Sequence, residues 1–496
     1  MKKSLLTSFM IITIFNALDR TLGFFFRIYL SREMGAENMG VYQVASSVFL
    51  ALLTLITSGV PLVVSKRVAK AVRNGDRKKA ASVTSAALVI GLATGLTITA
   101  AVFAFYPLLR AVIGTEAAIS LCMLAPSITF SAVYSAFRGN LWGKQKFFVV
   151  ALVEVIEQIS RIIACVAMFV CGANKLYSAA ISLTVGCFIS AAATTIFFFS
   201  GGGRLVSPKG EIKPLFLSEM PITLSRAAAC AASSVLSVAA PLLFMLSGFD
   251  KTSAYEMFGA ASGMALPLLF VPMTVIGSLA FVLVPAVGAS ADCGKFESVN
   301  RQIVSAVNFS SVVSCLFIPL FAACGEKIGV IVYDNATSGV FLSRAAWILL
   351  PLSLEAITSS LMNSLDLEMR SFLNSMIGYL VQAVIYAVFC KSFTLGVFAF
   401  GIGASLVVST ALHIYYTAKK TSLNVLRMKN AVLNCVLAFP VTALCRSLCG
   451  LFSFMPDLIA VVAAGGISML AYGALSLAFG GIEAYPFLKR KKTMQF

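Results

Sequence analysis

Between Leu5 and Phe479 the chain is a succession of long apolar runs parted by short polar breaks. A helix that crosses a bilayer needs about 20 mostly apolar residues. On that rule the pattern predicts fourteen spans, at residues 5–30, 41–64, 80–106, 117–137, 147–171, 177–200, 215–247, 255–288, 303–323, 342–364, 371–391, 395–417, 429–449 and 457–479. The opening MKKSLLTSFMIITIF has the layout of a signal peptide. Its apolar pattern runs on past Asp19 to Leu30 with no small-residue cleavage site, so it is expected to stay as the first helix. The fold class expected is an all-α integral membrane protein.

Fourteen spans put both termini on one side, and Lys/Arg-rich loops stay cytoplasmic. With the termini and the even-numbered loops assigned to the cytoplasm, that face collects 26 of the 38 basic residues. They include Lys66, Arg67, Lys70, Arg73, Arg77, Lys78 and Lys79 in the second loop and Lys489 to Lys492 in the tail. Eight lie in the odd loops and four in the spans, and one missed helix would have scrambled this bias. Composition agrees, with 59% hydrophobic and 12% charged residues and a mean hydropathy of +0.93. The net charge of +18 then follows from topology and contact with anionic lipid headgroups, and no separate basic domain exists to bind nucleic acid.

Loops this short hold no soluble catalytic or nucleotide-binding domain, which argues against an enzyme and excludes a pump carrying its own ATP-driven motor. Gly139-Asn-Leu-Trp-Gly-Lys-Gln lacks the spacing and the Ser/Thr of a phosphate loop. Gly201-Gly-Gly-Arg has no strand before it and is expected to be a flexible connection. The twelve cysteines, most of them within predicted spans, lack metal-ligand spacing. They are expected to be packing residues, neither disulfide-bonded nor metal-binding. His413, near the end of the twelfth span, is expected at the membrane interface.

Repeats of six spans share one orientation, so a duplication would give parallel halves. Ser225-Arg226 in the seventh span echoes Asp19-Arg20 in the first, and Phe147 to Arg161 overlays Phe372 to Tyr386, setting Glu157 against Gln382. The organisation expected is an N-lobe over 1–200 (spans 1–6), a cytoplasmic linker over 201–214, a C-lobe over 215–420 (spans 7–12), and spans 13–14 with a basic tail over 421–496. The linker, rich in glycine, proline and charge, is a hinge candidate. Pro221, Pro267, Pro272 and Pro285 would permit bends in the seventh and eighth spans.

An ionised side chain at mid-bilayer costs about 2.5 to 3.5 kcal/mol on insertion scales, so such residues face a bundle interior or a wet cavity. Arg20, Arg27, Arg161 and Arg226 qualify, with the acids Asp19, Glu154, Glu157, Glu219 and Glu355. Glu154, Glu157 and Arg161 share a helix face at i, i+3 and i+7, which suits either a Glu157–Arg161 pair that locks helices together or a switching charge network that also takes in Glu355. Arg20 and Arg27 lie two turns apart on one face, and one Asp cannot neutralise both. The planar arginine fork suits phosphate. A cavity with Arg20 on one lobe and Arg226 on the other would favour an anionic headgroup over a cationic drug.

The stretches RTLGFFFRIYLSREMGAENMGVYQ (20–43), SGVPLVVSKRVAKA (58–71) and FRGNLWGKQKFFVVALVEVIEQISRI (137–162) resemble the polysaccharide-exporter branch of the multidrug/oligosaccharidyl-lipid/polysaccharide flippase superfamily. The likeness is strongest to its stage V sporulation protein B group and more distant to its lipid II flippases. It implies a V-shaped protein of fourteen helices, two six-helix lobes plus two C-terminal helices that offer a groove for a lipid tail. Such a protein would move an undecaprenyl-pyrophosphate-linked glycan outward across the plasma membrane by alternating access. The family's first-helix arginine carries over to Arg20 as a pyrophosphate contact. The second arginine of the lipid II flippases aligns at Phe26, one position before Arg27. The expectation is therefore a flippase, with Arg20, Arg226 and Arg27 for pyrophosphate. Asp19 is the candidate for coupling to Na⁺, H⁺ or membrane potential, with no other cofactor and no metal. It is expected to act as a monomer, with cell-wall synthesis proteins as partners. The alternatives are a cation-coupled multidrug antiporter and a non-transporting scaffold for envelope synthesis.

Overall fold

A computed structural model describes residues 2–481, without the side chains of 2–14, 16, 281 and 282; Lys2 and Lys3 side chains and the tail with Lys489 to Lys492 lie outside the described residues. The described residues form helices and no strand. Twelve helices are long and apolar enough to cross a membrane, against the fourteen that the apolar pattern predicts. Two sequence features bear on the difference. Helix α6 (Phe147–Val170) carries Glu154, Glu157 and Arg161 within 24 residues, more charge than an apolar span holds. The first helical run, α1 (Lys2–Thr57), contains Gly35 at φ 74 and ψ 170, a backbone conformation outside the helical range.

Gly35 is a reversal of the chain. Sixteen residues of straight helix would separate Arg27 from Gln43 by about 24 Å at 1.5 Å per residue. The Arg27 guanidinium nevertheless donates to Gln43 Oε1 at 3.0 Å. Arg161 likewise touches Phe26 on one leg and Tyr42 on the other. The legs before and after Gly35 therefore lie side by side, and the second ends at Ser58–Gly59, ahead of α2 (Val60–Arg73).

The chain divides into two compact units, 1–239 and 240–496. In the first, α3 (Arg77–Ala104), the short α4 (Tyr106–Ile113), α5 (Thr115–Gly143), α6, α7 (Lys175–Ser200) and most of α8 (Ile212–Leu246) follow α2. Helix α5 is central, packing on α1, α2, α3 and α7. Gly139 and Gly143 make its contact with α2, because a Cβ at either would stand 2.7 Å from Cβ of Val64 or Val68. The stretch that fails as a phosphate loop is thus a small-xxx-small helix contact. Beside it, buried Asn140 donates to Thr84 Oγ1 at 2.7 Å.

The second unit opens with α9 (Lys251–Phe258), a fully buried wide-turn segment Gly259–Ala265, and α10 (Leu266–Leu269). The helix breaks at Phe270–Pro272 and restarts as α11 (Met273–Asp292), so the predicted 255–288 span is interrupted at one of its prolines. Helix α12 (Phe296–Tyr333) is the axis of this unit. Around it are packed α11, α13 (Ala336–Ala345), α14 (Leu349–Ser364), α17 (Lys429–Leu451) and α18 (Asp457–Ala478). Helices α15 (Glu368–Val388) and α16 (Leu395–Thr421) pair with each other and reach α14.

Helices α12 and α17 run in the same direction. Glu297 pairs with Arg427 at 2.9 Å where both begin, and Cys324, in the C-terminal third of α12, is disulfide-bonded to Cys449 near the end of α17. That bond corrects the expectation that the cysteines serve for packing alone. Sequence spacing could not show it, since 125 residues separate the partners.

Candidate functional site

The charges predicted for the membrane gather mainly in the first unit, where α6 lies along the first leg of α1. Phe15 meets Phe148, Phe26 lies against Arg161, and Tyr29 meets Phe169, so the two helices run in the same direction. Gly23 faces Gln158 there, and a Cβ at this position would stand at ordinary contact distance, 3.7 Å, from its side chain.

The three charges of α6 share one helix face but not one partner. Glu154 pairs with Arg138 of α5 at 2.8 Å and accepts from Tyr134 Oη at 3.1 Å. Arg138 also stacks over the Trp142 ring at 4.3 Å. Glu157 turns to α7, where Cys187 Sγ donates to it at 3.8 Å. Arg161 turns to α1, donating to Tyr42 Oη at 3.3 Å and lying 5.3 Å from the Phe26 ring centre. Glu157 and Arg161 form no ion pair with each other. Helix α7 approaches this level through Gly186, whose Cβ would stand 3.2 Å from Arg161 Cβ and from the Glu157 carbonyl. At the overlaid positions of the second unit, Gln382 donates to Tyr386 Oη at 2.9 Å, and Gly401 of α16 packs on that ring.

Arg138 is the site residue that sequence reasoning missed. The predicted fourth span stops at Phe137, whereas α5 continues to Gly143 and carries Arg138 on its last turns, facing Glu154 across a short connection. The Trp142 ring one turn beyond was the available signal, since arginine one turn from an aromatic on a helix invites stacking.

Arg20 is exposed and makes no hydrogen bond or ion pair with a described residue, while neighbouring Asp19 is half-buried. Arg27 is engaged by Gln43. Arg226, on the part of α8 that belongs to the first unit, is exposed and donates to the Ser58 carbonyl at 3.0 Å. That contact bridges α8 to the break between α1 and α2, and Gly59 makes the approach close enough, its Cβ position being 3.0 Å from the Glu219 carbonyl. Glu219 is buried there, with Oε2 lacking a described partner. Glu355 sits on α14 in the second unit, half-buried and in no described ion pair. Close to it, Thr358 Oγ1 lies 3.3 Å from His413 Nδ1, and His413 Nε2 lies 3.3 Å from the Ser371 carbonyl. His413 is therefore enclosed by protein.

The 201–214 stretch is tied down at its distal end. Glu211 pairs with Arg67 of α2 at 3.1 Å, and Arg67 also donates to the Pro214 carbonyl and Ser218 Oγ, both at 2.7 Å. Ser82 of α3 donates to the Ser207 carbonyl at 3.0 Å. Beyond the end of α5, burial together with nearby Lys146 and Arg77 pulls the Lys144 ammonium below the usual lysine range.

Residues 5–289 match the family model described as "Polysaccharide biosynthesis protein". The chain is 24% identical over 463 residues to stage V sporulation protein B of Bacillus subtilis (strain 168), covering 90% of this chain and 88% of that protein. It is 22% identical over 347 residues to lipid II flippase MurJ of the same organism, 61% of each chain. Among solved structures, lipid II flippase MurJ in an inward closed conformation shares the fold with a TM-score of 0.71 at 15% identity, covering 94% of this chain and 98% of that one. A MATE-family multidrug resistance transporter in an inward-facing conformation gives 0.68 at 16% identity, covering 81% and 94%. With a family match over more than half its length, this chain belongs to the polysaccharide biosynthesis protein family.

Proposed function

We propose that the protein is a flippase that carries an undecaprenyl-pyrophosphate-linked saccharide, lipid II or a related wall or spore-wall precursor, from the inner to the outer leaflet. The observation that carries this reading is the contrast among the arginines of the first unit. Arg138 and Arg161 are held by protein groups, while Arg20 is exposed with no described hydrogen-bond partner and remains available to an anion. A diphosphate supplies the paired acceptors that the guanidinium fork matches. Arg27, which donates to Gln43, and Arg226, which donates to the Ser58 carbonyl, are the secondary pyrophosphate ligands.

In this reading fourteen spans form two lobes that alternate in access, with spans 13 and 14 receiving the lipid tail. Both termini lie in the cytoplasm of a bacterial cell. Movement about the 201–214 stretch requires the Arg67–Glu211 pair and its neighbours to open. Glu154, Glu157 and Arg161 exchange partners between states, and Asp19 or Glu355 takes up the coupling cation or senses membrane potential. The protein works as a monomer among anionic lipids and wall-synthesis proteins.

The test is complementation in a bacterium whose own lipid II flippases can be switched off, with membrane expression verified. Rescue by the wild type and not by Arg20→Ala is the expected result. Rescue by both would sink the arginine assignment. Failure of a well-expressed wild type would move the substrate to another lipid-linked glycan. The MATE-like fold makes a multidrug antiporter the second reading, and efflux of cationic dyes by the same cells would favour it.

A further inference from the structure

Within the second unit, three cysteines gather between the C-terminal third of α12 and the last turns of α17. Cys324 is bonded to Cys449, and Cys445, one turn earlier on the same face of α17, places its sulfur 3.9 Å from Cys324 Sγ. All three are buried. The same two helices bring Cys315 close to Cys435, and both of those thiols are free. Cys315 lies nine residues before Cys324, about 13 Å further along the helix axis. One facing pair is oxidised and the other is not, although chemistry and helices are the same.

Depth and sidedness account for the difference. The closed pair joins the C-terminal third of α12 to the end of α17, next to the Lys327–Asp457 ion pair at 2.8 Å, whose charges belong at a polar boundary. The opposite ends of these helices adjoin Lys419, Lys420, Arg427 and Lys429, the side that the basic-residue bias assigns to the cytoplasm. Disulfides persist on the oxidising side of a membrane, and cytosolic thiols stay reduced. A metal ion held by three thiolates would bury net negative charge among apolar groups, and Lys327, one turn from Cys324, is already engaged by Asp457. A disulfide and a protonated thiol bury none.

We propose that Cys324, Cys445 and Cys449 form an oxidation site on the outer side of the membrane, closed by a protein disulfide oxidant, that locks α17 to α12, with Cys445 as the alternate partner of Cys324. The proposal rests on the topology and is independent of what the protein transports. In the closing step Cys324 thiolate attacks the oxidant's disulfide and expels one of its sulfurs as thiolate. The thiolate of Cys449 then attacks Cys324 Sγ in the mixed disulfide and releases the oxidant as a dithiol. Two electrons pass from the pair to the oxidant, and the two protons lost by the cysteines are taken up by its sulfurs. Because all three sulfurs are buried in the packed unit, closure takes place while α17 is still docking.

The test counts free thiols in the purified full-length chain, denatured with an alkylating agent and no reductant and read by intact mass. Ten of the twelve cysteines are expected to be alkylated in the wild type. Cys449→Ser is expected to keep two cysteines protected through a Cys324–Cys445 bond, whereas Cys324→Ser and the double variant Cys445→Ser, Cys449→Ser leave none protected. Cys315→Ser should still protect two. The same chain made in cells lacking their outer-face thiol oxidant is expected to be fully alkylated. Twelve alkylated thiols in the wild type would overturn the oxidation site, and stoichiometric zinc or copper in that reduced protein would replace it with a metal site. Full alkylation of Cys449→Ser would remove Cys445 from the scheme, and protection that survives loss of the oxidant would overturn the outer-side assignment.

Discussion

Arg20 and Arg138 are the same side chain in opposite settings, one exposed and one paired, and the difference is visible in what each can lose. Arg138 holds Glu154 at 2.8 Å with both side chains about three-quarters buried. Truncating either leaves a charge without its partner. Charge-assisted hydrogen bonds contribute about 1.5 to 3 kcal/mol, and partial exposure puts this one at the low end. Arg138→Ala and Glu154→Ala are each expected to lower the melting temperature in detergent, and the double variant to be less destabilised than the sum of the two. Additive losses would show that the pair is not coupled. Arg20, exposed, is expected to leave thermal stability unchanged when replaced by alanine. Transport should fall about ten- to a hundredfold, the value of one charged hydrogen bond. Arg20→Lys, which keeps the charge and loses the fork, is expected to fall between the two in a vesicle flipping assay.

At the scale of elements, two glycines decide how the first unit is built. Gly35, at φ 74 and ψ 170, occupies a region essentially closed to other residues. Gly35→Ala is expected to destabilise the protein by about 1 to 3 kcal/mol. It should also loosen the contacts that need the reversal, Arg27–Gln43 and Arg161–Tyr42. Cross-linking of cysteines introduced at 27 and 43 should weaken when Gly35→Ala is added, and unchanged cross-linking would mean that the turn does not depend on this residue. Gly139→Leu places a branched side chain where a Cβ already meets Val64 at 2.7 Å. Overpacking of this kind costs about 1 to 3 kcal/mol. Lower yield of folded protein is expected, while Gly172→Ala gives a comparison for backbone strain alone, since its Cβ meets nothing within 4 Å.

At the scale of the molecule, helix direction gives a second view of topology. Within the first unit the opening leg of α1 and α6 run the same way, and within the second so do α12 and α17. Each pair corresponds to two odd-numbered predicted spans, which the basic-residue bias independently orients alike. A reporter active only in the cytoplasm is expected to work when inserted at Asp366 and to be silent at Asp334. The reverse pattern would invert the topology and with it the proposed direction of transport.

The sequence by itself determined the helical membrane fold, the placement of most spans and the family, because these follow from local quantities. They are the length of each apolar run, the side on which lysine and arginine collect, and contiguous motifs such as FRGNLWG. It also marked the residues whose charge is out of place in hydrocarbon, Arg20, Glu154, Glu157 and Arg161 among them. Which of them meet was a tertiary matter. Helical periodicity put Glu157 and Arg161 on one face and suggested a pair, yet the neighbours α5, α7 and α1 took Glu154, Glu157 and Arg161 apart. The reversal at Gly35, the enclosure of His413 and the Cys324–Cys449 bond were likewise decided by packing. Each depends on atoms brought together from distant parts of the chain, or on a backbone angle that no hydrophobic pattern records.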